Sequence, residues 1–276
     1  MNRLLKKVGT QSLLYFGVIL IILFFIFPIY WIFGTAFKTP LDTFKLPPKF
    51  IFNPTLENFI VIINKTQFME LAINSIIASA GSTFLSILLS FPAAYSLARF
   101  RMKRKNDLAF MILSLRMFPP IAVAIPFFIM YKRIGLYDTR VGLLLLYTAF
   151  NIPLATWLLI GFIKEIPVDL EEAALVDGAT HLQVFRKIVL PLISTGMMAT
   201  AILCFIMSWN EFFLALILTG RNKTLPVFLY SFINFREIQW GPLMAAAAIM
   251  SSPIIIASIF VRKYLIRGLT LGAVKG

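Results

Sequence analysis

Cysteine and histidine are almost missing from this chain of 276 residues, which holds one of each, Cys204 and His181. A disulfide needs a cysteine pair, and a His/Cys metal cluster needs several ligands of these two types. Both are therefore excluded within the chain. The same scarcity disfavours a membrane-embedded enzyme, which would need clustered His, Cys or carboxylate groups in its hydrophobic segments. No catalytic residue, metal or cofactor is predicted in this chain.

Charge is also scarce, because Asp, Glu, Lys and Arg together make up 14% of the residues and hydrophobic residues make up 59%. A soluble domain has about 25% charged and about 45–50% apolar residues. The composition therefore indicates a polytopic membrane protein. The formal net charge of +14 could suggest nucleic acid, but the Lys and Arg residues are scattered between hydrophobic segments. A lipid bilayer explains that pattern better, and no nucleic-acid partner is expected.

Six hydrophobic windows are each long enough to cross a bilayer as a helix, which takes about 20 residues. They cover Val8–Phe37, Leu71–Ala98, Leu108–Tyr131, Val141–Ile163, Ile188–Gly220 and Ile238–Val261. Backbone groups in lipid must be satisfied within the segment, so helices are expected rather than isolated strands. The first window is too long for the apolar part of a signal peptide, about 7–15 residues, and is expected to be retained. The prediction is an all-α membrane protein with six transmembrane helices.

An even number of spans places both termini on one side of the membrane. That side carries the larger share of Lys and Arg, most clearly in the loop 99–105 between the second and third spans. Cytoplasmic loops are enriched in these residues, so both termini are predicted to be cytoplasmic. We expect three regions: 1–70, a first span with an external segment; 71–262, the core transmembrane domain; and 263–276, a cytoplasmic tail. The external segments 38–70 and 221–237 are predicted to be largely irregular, the second as an apolar loop at the membrane surface or reaching towards a partner.

A polar segment interrupts the hydrophobic pattern between the fourth and fifth windows. Asp169 is predicted to cap a short helix, with Glu172 three residues later completing a capping box. Glu171 and Glu172 would lie in the first turn, where negative charge is favourable. Asp177 and Gly178 are expected to end this helix, with Gly178 in the left-handed conformation.

A second short helix is predicted directly after Gly178. Thr180 and Gln183 have capping-box spacing, and an apolar stripe follows at Leu182, Phe185 and Val189. Pro191 is expected to begin the fifth span. The pattern therefore predicts two short water-facing helices hinged at Gly178, which serve either as a structural connector or as a docking element for another protein.

The same segment resembles the signature of permease subunits of ATP-binding-cassette importers. The matching residues are Glu172, Ala173, Ala174, Gly178, Ile188, Leu190 and Pro191, in the spacing of that signature. The segments 208–212 (Ser-Trp-Asn-Glu-Phe) and 267–276 resemble the sugar-importer branch, and most closely its maltose-type second permease. The resemblance covers essentially the whole chain.

The resemblance implies a type I importer fold in which the helix between spans four and five is a coupling helix. The residues implied to couple to the ATPase are Glu171, Glu172, Ala173, Ala174, Asp177, Gly178, Ile188, Leu190 and Pro191. The implied partners are a second homologous permease, a cytoplasmic ATPase dimer and an extracytoplasmic solute-binding protein. ATP and Mg²⁺ would be held by the ATPase, in agreement with the absence of a Gly-x4-Gly-Lys-Ser/Thr phosphate loop here. The implied location is a bacterial or archaeal cell membrane.

Two charges lie within predicted spans, Arg116 in the third and Glu211 in the fifth. Such charges are costly in lipid and should face protein or water. Together with Asn210 they are candidates for a translocation path. Structural roles remain open: Arg116 could bond carbonyls freed by the neighbouring prolines, and Asn210 and Glu211 could bond between helices. On straight helices the two charges would lie at different depths, which leaves any contact between them undecided.

The predicted function is therefore a permease subunit of an ATP-driven sugar or oligosaccharide importer. An alternative within the class is a non-sugar cargo such as phosphate, a polyamine or an amino acid. An alternative from another class is an ion-driven secondary transporter, which should have inverted repeats with paired broken helices. The sequence has many prolines within its spans but no such pairing.

Overall fold

The computed structural model describes residues 2–65, 67–233 and 238–271. The chain divides into two compact units. The first contains the residues up to 68 together with 229–252, and the second contains 69–228 together with the residues from 253 onwards.

The first unit contains a long N-terminal helix, two short helices and the start of the last helix. These are α1 (Asn2–Ala36), α2 (Pro40–Thr43), α3 (Glu57–Lys65) and, through residue 252, α13 (Trp240–Leu271). The segment 38–70 is thus less irregular than its prolines suggested. Asn58 fixes it, because its buried amide donates to the carbonyls of Ala36 at 2.9 Å and Lys38 at 2.8 Å. The apolar part of α1 is almost entirely exposed, as expected of a surface that lipid or a partner helix covers.

The second unit holds the remaining helices. They are α4 (Phe68–Arg99), α5 (Lys105–Ser114), α6 (Pro120–Arg133), α7 (Arg140–Lys164), α8 (Val168–Val176), α9 (His181–Val184), α10 (Leu190–Trp209), α11 (Phe213–Leu218) and α12 (Leu225–Tyr230). A 3-10 turn (Leu115–Met117) follows α5, and a π turn (Phe185–Val189) joins α9 to α10.

Helix α7 is the centre of this unit, and two hydrophobic clusters lie along it. One cluster joins its C-terminal half, through Leu159 and Ile163, to α4 and to the π turn and α10. The other joins its N-terminal half, through Leu143 and Leu146, to α6, α11 and α12. More than half of the α7 residues in its most apolar stretch are buried, which fits a helix that is hydrophobic on all sides.

The number of spans agrees with the prediction of six. Five helices in the described part of the chain are long and apolar enough to cross a membrane. The sixth is a bent pair, Lys105–Met117 with Pro120–Arg133, whose two halves meet at 86°. The predicted continuous third span is therefore wrong in its geometry. The break falls at Phe118–Pro119, because Pro119 and Pro120 lack the N–H groups that would continue the helix and force the preceding residue into extended backbone.

The predicted fifth span is also wrong at both ends. The helix begins earlier, since α9, the π turn and α10 form one continuous span from His181 to Trp209. The second short helix is thus the first turn of the fifth span rather than a separate element, and Pro191 lies inside the span. At the other end, the helix stops at Trp209, residues 210–212 are not α-helical, and α11 then resumes.

The apolar residues of segment 221–237 are only partly at the surface where the structure describes them, with Tyr230 and Ile233 exposed. Leu225, Pro226, Val227 and Phe228 are buried in helix α12. The predicted membrane-surface or partner-reaching loop is therefore wrong for these four residues, because the second unit itself buries them. Residues 234–237 lie outside the described residues.

Candidate coupling helix and translocation cavity

Helix α8 begins at Val168, with Pro167 in the capping position and no side-chain cap. The predicted capping box of Asp169 with Glu172 is therefore wrong, because Asp169 is already inside the first helical turn. The chain turns into α8 directly after Pro167, two residues earlier than expected. Glu171 lies in the first turn, as predicted for negative charge, and Asp169 lies there instead of at the cap. Glu172, which was also predicted in the first turn, lies beyond it because the helix begins earlier.

The end of α8 follows the sequence prediction. Gly178 has a φ of +87°, in the left-handed region, and Asp177 is the last capping residue. The Ala179 N–H donates to the Ala174 carbonyl at 3.0 Å and thereby satisfies one free carbonyl of the last turn. The predicted capping box at the next helix is also present, with both bonds between Thr180 and Gln183 formed.

Glu171 anchors α8 to the rest of the second unit. Its carboxylate accepts a hydrogen bond from Nε of Arg99 at 2.6 Å and one from the hydroxyl of Tyr95 at 2.8 Å. Nη2 of Arg99 also donates to the carbonyls of Ile163 and Ile166, both at 2.8 Å, at the end of α7. The two charged side chains are 10% and 7% exposed. This pair therefore joins α8, α4 and α7 at one point.

The sequence did not predict Arg99 and Tyr95 as partners of Glu171. Arg99 was identified only as one of several positive charges in the loop 99–105. A partner more than 70 residues away leaves no local spacing signal, so only the burial of Glu171 identifies it. The side chain of Glu171 is thus buried in the protein, whereas that of its neighbour Glu172 is exposed.

The remaining predicted coupling residues of α8 and of the turn after it face outwards, except Ala174, which packs against the hydrophobic cluster of α4 and α7. Glu172, Ala173, Asp177 and Gly178 are exposed, and Ala174 is half-buried. Apolar side chains on the same helix are exposed as well, namely Val168 at 46%, Leu170 at 48% and Val176 at 88%. The other three predicted residues lie further along, on the π turn and the start of α10: Ile188 is half-buried, and Leu190 and Pro191 are exposed.

The two charges inside the spans, Arg116 and Glu211, line one partly open cavity of about 180 Å³. This is many times the space that a single water needs. The expectation of different depths assumed straight helices. Arg116 instead lies in the 3-10 turn at the 86° bend, and Glu211 lies in the break between α10 and α11. Both breaks open onto the cavity, which is where non-helical backbone is tolerated at membrane depth.

The other polar groups of the cavity come from the central helix and α10. Asn151 of α7 donates from Nδ2 to the hydroxyl of Ser208 at 2.8 Å, and that hydroxyl also contacts the hydroxyl of Ser82 at 3.1 Å. Asn151 and Ser208 line the cavity together with the rings of Tyr147 and Phe150. Ser208 was noted only as part of the segment 208–212, and Tyr147, Phe150 and Asn151 were not predicted as site residues, because the sequence of a span does not show which side chains face a cavity.

Among the residues that the structure describes, only one of the two carboxylate oxygens of Glu211 accepts a hydrogen bond. Its Oε1 accepts the N–H of Leu214 at 2.8 Å and so caps α11. Within the described residues, Arg116 makes no hydrogen bond, and neither charge has an ion-pair partner. The carbonyl-bonding role considered for Arg116 is thus not present there. Asn210 is exposed, does not line the cavity, and donates to the carbonyl of Ile206 at 2.9 Å.

Asp138 fixes the far end of α11. Its carboxylate accepts the N–H groups of Gly220, Arg221 and Asn222 at 2.8–3.1 Å, in the loop that follows α11. Burial by itself raises the pKa of this carboxyl, but the backbone hydrogen bonds and the Arg221 charge together outweigh it, so the pKa lies below its ordinary value. The clamp holds α11, and with it the cavity residue Leu214, in place.

The family described as binding-protein-dependent transport system inner membrane component matches residues 86–271. The chain belongs to this family. It is 34% identical over 276 residues to the trehalose/maltose transport system permease protein of Thermococcus litoralis, covering 98% of this chain and 99% of that protein. It is 36% identical over 274 residues to the trehalose transport system permease protein of Mycobacterium tuberculosis, covering 97% and 100%.

A solved structure has the same fold. It is a chain of a bacterial ABC transporter involved in the import of the acidic polysaccharide alginate, with a TM-score of 0.76 and 24% identity over 94% of this chain and 96% of that one. As an inner membrane component of a transport system, the chain is a permease rather than an enzyme. A secondary transporter was expected to have inverted repeats with paired broken helices. The described residues contain one bent pair, α5 with α6, and a second break between α10 and α11. Family membership, not the breaks, decides the class.

Proposed function

We propose that this chain is the permease subunit of an ATP-driven sugar importer and that α8 is its contact with a separate ATPase subunit. The observation that carries this proposal is the two-sided character of α8. Glu171 holds one side to α4 and α7 through a buried ion pair, while Glu172, Ala173 and Val176 face outwards. A helix that is fixed on one side and exposed on the other can transmit a displacement to the spans it is attached to.

The exposed apolar residues of α8 support a docked partner. Val168, Leu170 and Val176 lie on a nine-residue helix that is too short to span a bilayer. Apolar groups grouped on a short connecting helix gain most if another protein covers them. A cleft on a cytoplasmic ATPase would cover them and would also meet the Glu172 carboxylate. ATP and Mg²⁺ would be bound by that subunit.

The remaining parts of the assembly follow from the kind of transporter. The curated relatives are named for trehalose and maltose transport, which supports a neutral sugar as cargo. We place both termini in the cytoplasm, because the loop 99–105 is strongly positive and lies at the same end of α4 as α8. The further partners would be a second homologous permease, which completes the pore, and an extracytoplasmic solute-binding protein, which delivers the sugar.

The translocation path is proposed to pass through the cavity lined by Arg116 and Glu211. Two opposite charges that have no ion-pair partner among the described residues are costly beside lipid, and a wetted path would hydrate both. Asn210 borders the same break and would lie at the edge of this path.

The test of the docking role uses the complete complex in proteoliposomes. Glu172→Lys should leave the chain in the membrane but reduce recovery of the ATPase subunit and sugar-stimulated ATP hydrolysis, because the reversed charge would face the partner. Glu165→Lys, an exposed residue before α8, is the matched control. Normal ATPase recovery together with normal uptake in Glu172→Lys would refute the docking role.

The class of transporter is tested with the chain alone. Purified without partners and reconstituted in vesicles, it should give no ATP-driven uptake of trehalose or maltose. Robust uptake driven by an ion gradient would instead favour the secondary transporter.

The side of the membrane on which α8 lies is tested separately, with Glu172→Cys in a Cys204→Ala background. A reagent confined to the outer side should fail to label that cysteine.

A further inference from the structure

We infer that the cavity between the two broken spans is a binding subsite for a neutral saccharide within this permease subunit. The inference rests on the proposed function and extends it, because it assigns sugar contact to this chain and gives a structural reason for the neutral cargo. The cavity is formed entirely by the second unit, from the bend before α6, the central helix α7 and the break between α10 and α11.

The polar groups of the cavity match what a sugar hydroxyl needs. A hydroxyl both donates and accepts, so its best site offers an acceptor and a donor close together. Oε2 of Glu211 accepts no hydrogen bond from any residue that the structure describes, and the guanidinium of Arg116 donates none. Bonds from hydroxyls to these two groups would be charge-assisted and hence stronger than neutral ones.

A third polar group, Asn151, indicates that the cavity orients a ligand rather than only holding water. Asn151 donates from Nδ2 to Ser208 and to the Cys204 carbonyl, which fixes the amide. Its oxygen accepts no hydrogen bond from the described part of the chain and can serve as an acceptor. Asn151 is 3% exposed, so its side chain is held by packing as well as by hydrogen bonds. A fixed buried acceptor of this kind is typical of a site that orients a ligand.

The apolar part of the cavity suits the remaining surface of a sugar ring. Phe118, Tyr147 and Phe150 line it together with Met207 and Leu214. A pyranose presents C–H groups on its faces and hydroxyls around its edge, so rings beside a few polar groups complement both. Ligand sites in proteins have this mixture of mostly apolar lining and a small number of polar groups.

The charge of the cavity restricts the class of saccharide. Arg116 and Glu211 are the charged residues of its lining, one of each sign, so the cavity has no excess positive charge. An acidic sugar would lose its hydration and face the Glu211 carboxylate as well as the arginine, which is unfavourable. A neutral sugar meets no such penalty. The solved structure with the same fold comes from a transporter of an acidic polysaccharide, and this cavity favours the opposite kind of cargo.

The test measures protection of a cysteine in the cavity. In a Cys204→Ala background, Met207→Cys places a thiol in the lining, and Glu70→Cys, at the exposed start of α4 and outside the cavity, is the control. The complete complex, with its binding protein, is treated with a water-soluble thiol reagent in the absence and presence of trehalose, maltose or an alginate oligosaccharide. At least one neutral sugar should slow labelling at 207 and leave labelling at 70 unchanged.

A second variant connects protection to the proposed contact. Glu211→Gln retains an oxygen that can cap α11 but removes the charge, so the half-protecting sugar concentration should rise by about tenfold, as expected for the loss of one charge-assisted hydrogen bond. Glu70→Gln, an exposed carboxylate outside the cavity, should leave it unchanged.

The outcomes separate the two proposals. ATP-driven uptake of a neutral sugar with no protection at 207 overturns the subsite and leaves the importer intact. Equal or stronger protection by the alginate oligosaccharide overturns the preference for a neutral sugar. Protection that Glu211→Gln does not weaken overturns the contact with that carboxylate. Uptake of neither neutral sugar by the unaltered complex overturns the proposed cargo, and the subsite with it.

Discussion

Replacing Glu171 by leucine should detach α8 from the second unit, while the same replacement at Glu172 should not. The two residues are adjacent and chemically identical, but Glu171 is buried against Arg99 and Glu172 is exposed. Leucine at 171 leaves the Arg99 guanidinium inside the protein with no carboxylate. The difference between the two variants therefore reports the ion pair and not the loss of a negative charge from the helix.

The expected size follows from the burial of the pair. Removing one partner of a buried ion pair costs about 3–5 kcal/mol, because the other charge is left uncompensated. The Arg99 and Glu171 side chains are 10% and 7% exposed, so this range applies rather than the value below about 1 kcal/mol for surface pairs. The equilibrium for local opening of α8 should therefore shift by roughly two to four orders of magnitude, limited by the stability that α8 has before the change.

Hydrogen exchange of the backbone amides measures this local opening directly. In the purified complex, a peptide that covers α8 should exchange much faster in Glu171→Leu than in the unaltered protein, whereas a peptide from the middle of α7 should not change. Combining Glu171→Leu with Arg99→Met should recover part of the protection, because the uncompensated charge is gone. Recovery should be incomplete, since the carbonyls of Ile163 and Ile166 lose their donor. Equal exchange in Glu171→Leu and Glu172→Leu would refute the reasoning.

Three further predictions concern backbone and packing. Gly178→Ala should destabilise the turn after α8 by about 1–2 kcal/mol. Space for a methyl group is available there, but the φ of +87° is unfavourable for alanine. Gly178→Asn should destabilise the turn less, and the same exchange experiment measures both variants. Gly196→Ala should lower the melting temperature because its Cβ would overlap the Phe162 ring, whereas Gly161→Ala, with open space around it, should not. Asp138→Asn should lower the melting temperature near neutral pH. Because the pKa of Asp138 is lower in the folded state, its carboxylate stabilises the fold at pH values above the ordinary Asp pKa. This stabilisation is lost as the pH falls through the folded-state pKa, so the melting temperatures of the two proteins should converge in acid.

Local spacing was enough to predict the end of α8 and the capping box that follows it. Gly178 and the pair Thr180 and Gln183 act within a few residues of themselves, so their sequence spacing contains the whole interaction. The role of Glu171 could not be predicted in this way. Its partners belong to α4, and only the packed second unit brings them within hydrogen-bonding distance.

The cavity was partly predictable, since Arg116 and Glu211 were selected as charges that must avoid lipid. The proximity of these two residues was not predictable. It arises from two helix breaks, and a hydropathy window does not distinguish a broken span from a continuous helix. Pro119 and Pro120 did signal the first break. The break after Trp209 has no proline or glycine in residues 210–212, and hydropathy alone gave no reason to end the helix there.

One continuous helix connects the two parts of the site. The span from His181 to Trp209 begins three residues after Gly178 and ends at the break that contains Glu211, a length of about 40 Å at 1.5 Å per residue. Had the second short helix been a separate element, a movement of α8 would have been absorbed at a hinge before Pro191. Because the helix is continuous, a displacement near Gly178 would be carried along it to Met207 and Ser208 in the cavity wall. On the proposed function, a movement imposed at α8 therefore changes the cavity without any contact between the ATPase and the sugar.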